Sequence, residues 1–277
     1  MLIRYIHLTL LVIYIKLTVQ LLCTFAGVCA LFHLNDLQND SRILHFERVG
    51  STSLSISENP EFRWLSIDDA VQSVMDLRTP WQPILPHLSA LLLCFYYLPA
   101  PKQVMELGLG GGSLQRFFRY HFPKVNLLSV EYSSQVIALF KQWFNQGYQD
   151  YQVLHQDARY AIKEASSQDL IFIDLFAKQG TPDFVFTEEF YLDCARGLNP
   201  EGLLAINLIS GSHLQSELVL DILRTLNLNF RVFSVPGYQN KIVFACYNAL
   251  PAIRYDSNLE HLARRYGLNL NAIVALA

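Results

Sequence analysis

Apolar and polar positions follow two different rhythms along this chain. In "RILHFERV", "SLSISE" and "FRWLSID", apolar, β-branched or aromatic residues recur at every second position. Gly50-Ser51 and Asn59-Pro60 supply turn signals between these segments, so the pattern predicts a small antiparallel sheet that ends near Met75. From Gln103 onward the pattern changes, and short apolar runs alternate with longer amphipathic stretches.

Seven strand candidates follow in this second part of the chain. They are Gln103–Leu107, Val125–Val130, Tyr151–Leu154, Leu170–Ile173, Leu203–Leu208, Phe230–Val235 and Ile242–Cys246. Helical patterns such as "SQVIALFKQWFNQ" and "EEFYLDCARGL" fill the intervals. Strands that alternate with helices predict an α/β fold with a Rossmann-like, doubly wound parallel sheet, and the last two strands are expected to add an antiparallel hairpin at one edge.

These patterns divide the chain into four parts. The parts are an apolar N-terminal segment over 1–34, a small β domain over 41–78, a Rossmann-like domain over 79–250 and a helical tail over 251–277. Pro80, Pro83 and Pro86 mark the linker that precedes "HLSALLLCFYYL", which we predict to be a buried helix.

The N-terminal segment has two open interpretations. Leu17–Leu34 is a run of 18 uncharged residues, which lies at the short end for a membrane span. With Arg4 in front and Ala26 and Ala30 near its end, the segment fits a signal sequence or an uncleaved anchor. The alternative is an over-extended start site, with the protein beginning nearer Leu34.

Composition and charge exclude several functions. A net charge of -3 gives no basic excess, which argues against nucleic acid as a partner. The five cysteines form no CxxC pair and the histidines show no HExxH spacing, so no metal site is predicted. Reduced, buried thiols are typical of a reducing compartment, and we therefore expect the main domain to be cytoplasmic, with an inner-face membrane anchor if the N-terminal segment is one.

A glycine loop directly follows the first predicted strand of the Rossmann-like part. In "VMELGLGGGSLQRFF", Gly108, Gly110 and Gly112 precede a predicted helix, where a ligand can approach exposed backbone N–H groups. Ser113 occupies the position of the third glycine of the dinucleotide fingerprint, so the spacing is GxGxG. The alternative is a tight strand-to-helix turn without a ligand.

Acidic residues end the next two strands. Glu131 comes 19 residues after Gly112, where an acid can accept hydrogen bonds from both ribose hydroxyls of a nucleoside. Asp157 closes the third strand and can accept a hydrogen bond from an adenine amino group, although an aspartate that begins a helix is also an N-cap. Together with the glycine loop, these acids predict an adenosine pocket with no cue for a pyrophosphate.

A third acid, Asp174, ends the fourth strand in "DLIFIDLFAKQGTP". It is expected to face the same crevice as the glycine loop, where partial burial would raise its pKa towards that of a useful base. The alternative role is a capping residue for the loop that follows.

Three longer segments carry a family resemblance. "GTPDFVFTEEFYLDCARGLNPEGLLAINL", "RWLSIDDAVQSV" and "VPGYQNKIVFAC" resemble segments of the spermidine synthase family, the polyamine aminopropyltransferases. The resemblance runs from about Ile43 to Tyr247, and the glycine loop and Glu131 are shared with methyltransferases generally. It implies a class I methyltransferase-type sheet preceded by the small β domain.

The resemblance also implies roles for individual residues. Members of the family transfer an aminopropyl group from decarboxylated S-adenosylmethionine to an amine. The implied nucleoside-binding residues are Gln72, His87, Gly108, Gly110, Gly112, Glu131 and Asp157, and the implied catalytic residues are Asp174 and Tyr238. Asp174 would take the proton of the attacking amine with help from Tyr238, because a protonated amine has no lone pair.

The chain departs from the family on the amine side. Ala177, followed by Lys178, stands where the family has a second acid, and Pro86 stands where it has the tyrosine of a Tyr-His pair. Gly111 replaces an aspartate of the glycine loop. The nucleoside half of the site is therefore expected to be kept and the amine half to be altered.

Three hypotheses follow. The first is aminopropyl transfer to a small-molecule amine, with decarboxylated S-adenosylmethionine as a co-substrate, no permanently bound cofactor and, by family analogy, a homodimer. The second is an S-adenosylmethionine-dependent methyltransferase, in which Lys178 would balance the methionine carboxylate. The third is a non-catalytic nucleoside-binding homologue.

Overall fold

The structure is a computed structural model, and it describes residues 32, 34–68, 70–145, 147, 151–176, 180–209, 213–270 and 274–276. The chain divides into Met1–His33 and Leu34–Ala277, and all the elements below belong to the second unit. The predicted anchor or signal segment lies outside the described residues, apart from its end. Within the described ranges no helix is long and apolar enough to cross a membrane.

A small antiparallel sheet forms the first part of this unit. After a 3-10 turn, Leu34–Leu37, its strands are β1 Arg42–Val49, β2 Thr52–Glu58, β3 Phe62–Ile67 and β4 Ala70–Asp76, paired in that order. Ile56, Leu65 and Met75 are buried on its inner face, in a cluster that also includes Leu109 of the glycine loop and Phe140. The small sheet therefore packs directly against the predicted ligand loop.

The inner face of this sheet offers a matched test of its packing. Ile56 is 0% exposed on β2, whereas Ile43 is 68% exposed on β1. We expect Ile56→Ala to lower the free energy of unfolding by about 3 kcal/mol, because lost burial and a residual cavity add together. Ile43→Ala should change it by less than about 0.5 kcal/mol.

Denaturant unfolding of both variants, followed by tryptophan fluorescence, measures this difference. Equal effects of the two substitutions would contradict the packing of the small sheet on the rest of the chain.

The linker leads into two short helices instead of the single predicted one. They are α1 Pro86–Leu91 and α2 Cys94–Tyr97. Between them the backbone tightens, because the N–H of Leu93 bonds to the carbonyl of Ala90, three residues back. Almost every side chain over this stretch is buried, so the hydrophobic pattern carried no sign of the break.

The second sheet has eight strands in the described chain. They are β5 Gln103–Leu107, β6 Asn126–Glu131, β7 Gln152–His155, β8 Gln168–Ile173, β9 Leu198–Ile209, β10 Asn229–Ser234, β11 Asn240–Cys246 and β12 Val274–Leu276. Their order is β12-β10-β11-β9-β8-β5-β6-β7, with β5 to β9 parallel and the last three antiparallel. The seven predicted strands and the Rossmann-like fold class are confirmed.

The end of the chain differs from the prediction. The hairpin of β10 and β11 does not lie at the edge, because β12 pairs with β10 and takes that position. Among its described residues, the tail has an α-helix over Ser257–Tyr266, α8, and the last of them form β12. The apolar ending "AIVALA" has a composition that is typical of a strand. The strand with which it pairs is distant in the chain, so the local sequence does not reveal the pairing.

Helices cover both faces of this sheet. In order they are α3 Ser113–His121, α4 Ser134–Leu139, α5 Ala158–Glu164, α6 Glu188–Gly197 and α7 His213–Thr225. The α4 helix continues as a π-helical turn, Phe140–Phe144, which buries both terminal phenylalanines. On the other side of the sheet, Tyr191 of α6 and Val219 of α7 belong to one buried cluster with Ile171 of β8.

The strand order creates the crevice in which the site lies. From β5 the chain proceeds to β6 and β7 on one side, and then returns to place β8 on the other side of β5. The loops after β5 and β8 therefore leave the sheet in opposite directions at their carboxyl ends. Ligands of open α/β sheets bind at such a switch point.

Candidate active site

A cavity of about 1150 Å³ opens at this switch point. Its wall combines the ends of β5, β6 and β8 with β3 and β4 of the small sheet. The predicted site residues that line it are Gln72, His87, Gly108, Gly110, Glu131, Asp157, Asp174 and Tyr238. The structure thus brings eight of the nine predicted residues to one cavity.

Gly108 and Gly110 hold the glycine loop close to its neighbours. Their φ angles of 101° and 52° lie in the region that favours glycine. The N–H of Gly108 donates to Val130 at 2.9 Å, and a Cβ at Gly108 would overlap the carbonyl oxygen of Asp174. The loop can therefore approach the end of β8 only with glycine at this position.

A substitution pair separates this close approach from backbone strain alone. Gly50 also has a positive φ, of 61°, but a Cβ there meets no described atom within 4 Å. We expect Gly50→Ala to lower the free energy of unfolding by about 1–2 kcal/mol, the usual cost of a left-handed residue. Gly108→Ala should cost clearly more and abolish nucleoside binding.

Thermal unfolding and nucleoside titration of the two variants measure this difference. Similar losses of stability, with binding kept in both variants, would refute the close packing of Gly108 on Asp174.

Gly112 is the one predicted binding residue that does not line the cavity. Its N–H donates to the carbonyl of Leu109 at 2.8 Å, and a Cβ there would overlap the ring of Phe140. It also serves as the N-cap residue of α3, with a φ of 70°. These contacts give Gly112 a packing role, which GxGxG spacing does not distinguish from ligand binding.

Gly111 departs from the resembled family for a steric reason. Its N–H donates to the hydroxyl of Ser73 on β4 at 2.8 Å. A Cβ at Gly111 would lie 2.7 Å from the Cβ of Ser73, so the aspartate of the family pattern has no room here. The glycine loop is thus fitted to this small sheet.

Arg116 of α3 was missed from the sequence, where it reads as one basic residue of an amphipathic helix. Its buried guanidinium donates to the carbonyls of Pro80, at 2.7 Å, and Gly111. Burial lowers the pKa of Arg116 to about 10, which leaves it charged at neutral pH. The side chain ties the linker to the glycine loop.

Glu131 ends β6 at the cavity wall. One carboxylate oxygen accepts from the N–H of Ser133 at 2.9 Å, and the other accepts longer bonds from Leu109 and Gly110, at 3.3 and 3.4 Å. Burial raises the pKa of Glu131, and these backbone donors oppose the rise. A carboxylate with two long bonds can exchange them for the shorter bonds of ligand hydroxyls.

Asp157 is observed as the N-cap of α5. It accepts from the N–H of Arg159 at 2.9 Å, and the guanidinium of Arg159 approaches it at 2.6 Å. Hydrogen bonding from Arg159 lowers the pKa of Asp157. Asp157 also lines the cavity, so it can cap the helix and contact a ligand at the same time.

Asp174 is the acceptor at the end of a hydrogen-bonded chain of two buried asparagine side chains. Asn207 on β9 donates to one of its oxygens at 2.7 Å, and Asn240 on β11 donates to Asn207 at 2.8 Å. The other oxygen lies 3.9 Å from Nε2 of His87. Burial lowers the pKa of His87, although Asp174 opposes this, and the ring is therefore neutral at pH 7.

The two asparagines were also missed from the sequence. Asn207 is the one polar residue of "LLAINLI", whereas Asn240 begins the strand "NKIVFAC" next to Lys241. The isolation of Asn207 is a detectable signal, because a buried amide requires hydrogen-bond partners. The partners of Asn207 are Asp174 and Asn240, which lie 33 residues before and 33 residues after it in the chain. The strand order of the sheet brings them together.

Tyr238 and Gln72 are the remaining predicted site residues, and they belong to different sheets. Tyr238 lies in the turn between β10 and β11, where its N–H donates to Val235 at 3.0 Å, and burial raises the pKa of its phenol. Gln72 lies on β4, with its amide 3.5 Å from the carbonyl oxygen of Ala70. The altered positions Ala177 and Lys178 lie outside the described residues.

Glu106, inside β5, is the fourth residue that sequence reasoning missed. It is only 2% exposed and lines the cavity. The hydroxyl of Ser129 donates to it, and Gln115 donates to Ser129 at 2.6 Å. Burial raises the pKa of Glu106 to about 8. The available signal was an acid in an apolar strand directly before the glycine loop.

The charged groups of the cavity wall are predominantly acidic. Among the described residues its carboxyl groups belong to Glu106, Glu131, Asp157 and Asp174. Arg159 is the one Lys or Arg in the same described set, and its guanidinium is paired with Asp157. This balance favours a cationic ligand. No group of three or more metal-ligating side chains with suitable geometry occurs in the part of the chain described.

Comparison with protein families identifies one that covers most of the chain. A sequence model described as the spermine/spermidine synthase domain matches residues 87–250. A polyamine aminopropyltransferase of Chromobacterium violaceum is 27% identical over 230 residues, covering 80% of this chain and 87% of that protein. The human eEF1A lysine and N-terminal methyltransferase is 29% identical over 161 residues, covering 53% of this chain and 23% of that protein.

Solved structures show the same two similarities. A probable spermidine synthase from Corynebacterium glutamicum superposes with a TM-score of 0.72 at 19% identity, covering 84% of this chain and 90% of that one. Human methyltransferase-like protein 13 in complex with SAH superposes with a TM-score of 0.52 at 25% identity, covering 65% and 87%. The first likeness supports the fold alone.

Proposed function

Because the chain belongs to the spermine/spermidine synthase domain family, we propose that it transfers an aminopropyl group from decarboxylated S-adenosylmethionine to an amine. The observation that carries this proposal is that Glu131, the last residue of β6, and Asp174, the first residue after β8, line one acidic cavity on either side of β5. A donor with a sulfonium and an ammonium group is a cation, as is a protonated amine acceptor. Both reactants therefore suit the same wall.

On the donor side, Glu131 accepts hydrogen bonds from the ribose hydroxyls. Its long bonds from Leu109 and Gly110 make this exchange possible, since those N–H groups can turn to the ligand. Asp157, the N-cap residue of α5, accepts a hydrogen bond from the adenine amino group. Gln72, from the small sheet, contacts the donor's side chain.

On the acceptor side, Asp174 receives the proton of the attacking amine. Asn207 holds one of its oxygens at 2.7 Å, so the other is available to the cavity and to the neutral ring of His87. The amine lone pair then forms the new C–N bond as the C–S bond breaks. The electron pair of that bond goes to sulfur, which leaves as the neutral thioether methylthioadenosine.

The test is direct turnover by the full chain. The protein is incubated with decarboxylated S-adenosylmethionine and a panel of amines that contains diamines, polyamines and monoamines, and methylthioadenosine and the alkylated amine are measured by mass spectrometry. Matched formation of both products with one amine supports the proposal. Binding of the donor without product from any amine would contradict it and would favour a non-catalytic nucleoside-binding protein.

A methyltransferase is the second candidate, because methylation and aminopropyl transfer use the same kind of sulfonium donor. The specific observation is the 25% identity to human methyltransferase-like protein 13 in complex with SAH, over 65% of this chain. Parallel titration with intact and decarboxylated S-adenosylmethionine separates the candidates. Tighter binding of the intact donor would favour methyl transfer.

A further inference from the structure

Three carboxyl groups line the cavity from neighbouring strands of the second sheet. Glu131 ends β6, Glu106 lies two residues before Gly108 on β5, and Asp174 follows β8. These are three neighbouring strands of the sheet, and the negative charges of Glu131 and Asp174 both raise the pKa of Glu106. The proposed roles of Glu131 and Asp174 leave the third carboxyl without a function.

The other groups around Glu106 do little to balance its charge. From β6, the hydroxyl of Ser129 donates to it, and from α3, Gln115 donates to that hydroxyl. The positive charge of Arg116 on α3 lowers the pKa of Glu106, but its guanidinium is hydrogen-bonded to the carbonyls of Pro80 and Gly111.

The remaining titratable neighbour is His87 of α1, which faces Asp174 and not Glu106. Burial lowers the pKa of His87, so its ring adds no positive charge at neutral pH. An ionised Glu106 is consequently under-compensated in the empty cavity. Burial and the neighbouring acids raise its pKa to about 8, which makes the neutral carboxyl the main form at pH 7.

We propose that Glu106 is the counter-charge for the cationic side chain of the donor, and that it releases a proton as the donor binds. This inference rests on the proposed function and concerns the same site. The balanced step is neutral Glu106 plus the cationic donor, giving ionised Glu106 paired with the donor and one proton in solution. A neutral nucleoside in the same pocket leaves the carboxyl protonated.

The physical reason is that a cation reverses the local electrostatics. A positive charge within a few ångströms of a carboxyl favours its ionised form, and it does so strongly where water is excluded. Glu106 lines the cavity and is buried, so a ligand charge there acts with little screening. The cavity therefore distinguishes the sulfonium donor from its neutral thioether product by charge.

The experiment is isothermal titration of the full chain at pH 7 in two buffers of different ionisation enthalpy, such as phosphate and Tris. The probes are decarboxylated S-adenosylmethionine and methylthioadenosine, which share the nucleoside and differ in charge. We expect release of close to one proton with the first and none with the second. Between pH 6.5 and 7.5 the Kd of the donor should fall up to tenfold, with no change for the thioether.

Two variants assign the proton to Glu106. Glu106→Gln should abolish proton release and keep methylthioadenosine binding, whereas Glu164→Gln, at an exposed residue of α5, should behave as the unchanged protein. Should Glu106→Gln fail to fold, Ser129→Ala serves instead. It removes the hydroxyl that lowers the pKa of Glu106, so the pH profile should move to higher pH.

The outcomes separate the two proposals. Binding of both nucleosides without proton release would overturn the role of Glu106 and leave the proposed function standing, because a purely structural Glu106 predicts that result. Failure of both nucleosides to bind a folded sample would overturn both. Proton release that persists in Glu106→Gln would assign the proton to another group and would also refute the inference.

Discussion

Replacement of Asp174 by asparagine is expected to lower kcat/KM for aminopropyl transfer by roughly 10²–10⁴-fold, the usual contribution of a general base. Asparagine keeps the shape and can still accept the hydrogen bond from Asn207, so the fold should be preserved. It cannot accept the proton of an alkylammonium. The Kd of the donor should rise by much less, because Asp174 is proposed to act on the acceptor.

Steady-state kinetics with the best amine measure the fall in kcat/KM, and titration with the donor measures the change in its Kd. The matched control is Asp183→Asn, which changes an exposed aspartate in the 3-10 turn after β8. An Asp174→Asn enzyme with undiminished turnover would remove the proposed base, and a parallel loss in Asp183→Asn would point to a general effect on folding.

Replacement of Glu131 by alanine is expected to weaken methylthioadenosine binding by at least about 10²-fold. Two hydrogen bonds from ribose hydroxyls to a charged oxygen contribute about 1.5–3 kcal/mol each. Alanine also leaves the N–H of Ser133 without the acceptor that holds it at 2.9 Å, which loosens the turn after β6. The affinity of the unchanged protein should fall in acid, as Glu131 takes up a proton.

The direction of that pH effect follows from the raised pKa of Glu131. Burial raises the pKa of Glu131 above that of an exposed glutamate, so the loss of affinity begins at a higher pH than it would for an exposed residue. Ionisation of this buried carboxyl lowers the stability of the empty protein as pH rises through the same range. Titration by fluorescence or calorimetry from pH 4 to pH 8 measures the effect. Glu164→Ala is the control, and unchanged binding by Glu131→Ala would contradict the ribose contact.

The strands were predictable because their signal is local. Short apolar runs bounded by turn residues identified β5 to β11, and their alternation with helices gave the sheet type. The secondary-structure predictions were wrong where the local structure depends on a partner that is distant in the sequence. The β12 strand depends on the free edge of β10, and the break between α1 and α2 is hidden by burial on all sides.

The placement of the candidate site residues at one cavity was predictable to the same degree and for the same reason. Acids at strand ends, such as Glu131 and Asp174, follow from the rule that these ends share one edge of a parallel sheet. Glu106 was overlooked because its raised pKa and its proposed role depend on residues that are distant in sequence, Ser129 and Arg116. Gly112 was assigned to the ligand because a motif does not show that Phe140 occupies the space beside it.

The link between the small sheet and the glycine loop bears on how the pocket forms during folding. Ser73 holds the N–H of Gly111, and Arg116 joins its carbonyl to Pro80 in the linker. The region that matches the family, residues 87–250, contains Gly111 and Arg116 but neither Ser73 nor Pro80. These two links join the loop and α3 to residues 38 and 36 positions earlier in the chain. We therefore expect the ligand loop to take its final conformation only when the small sheet and the linker have packed against it, so that assembly of the pocket depends on long-range contacts.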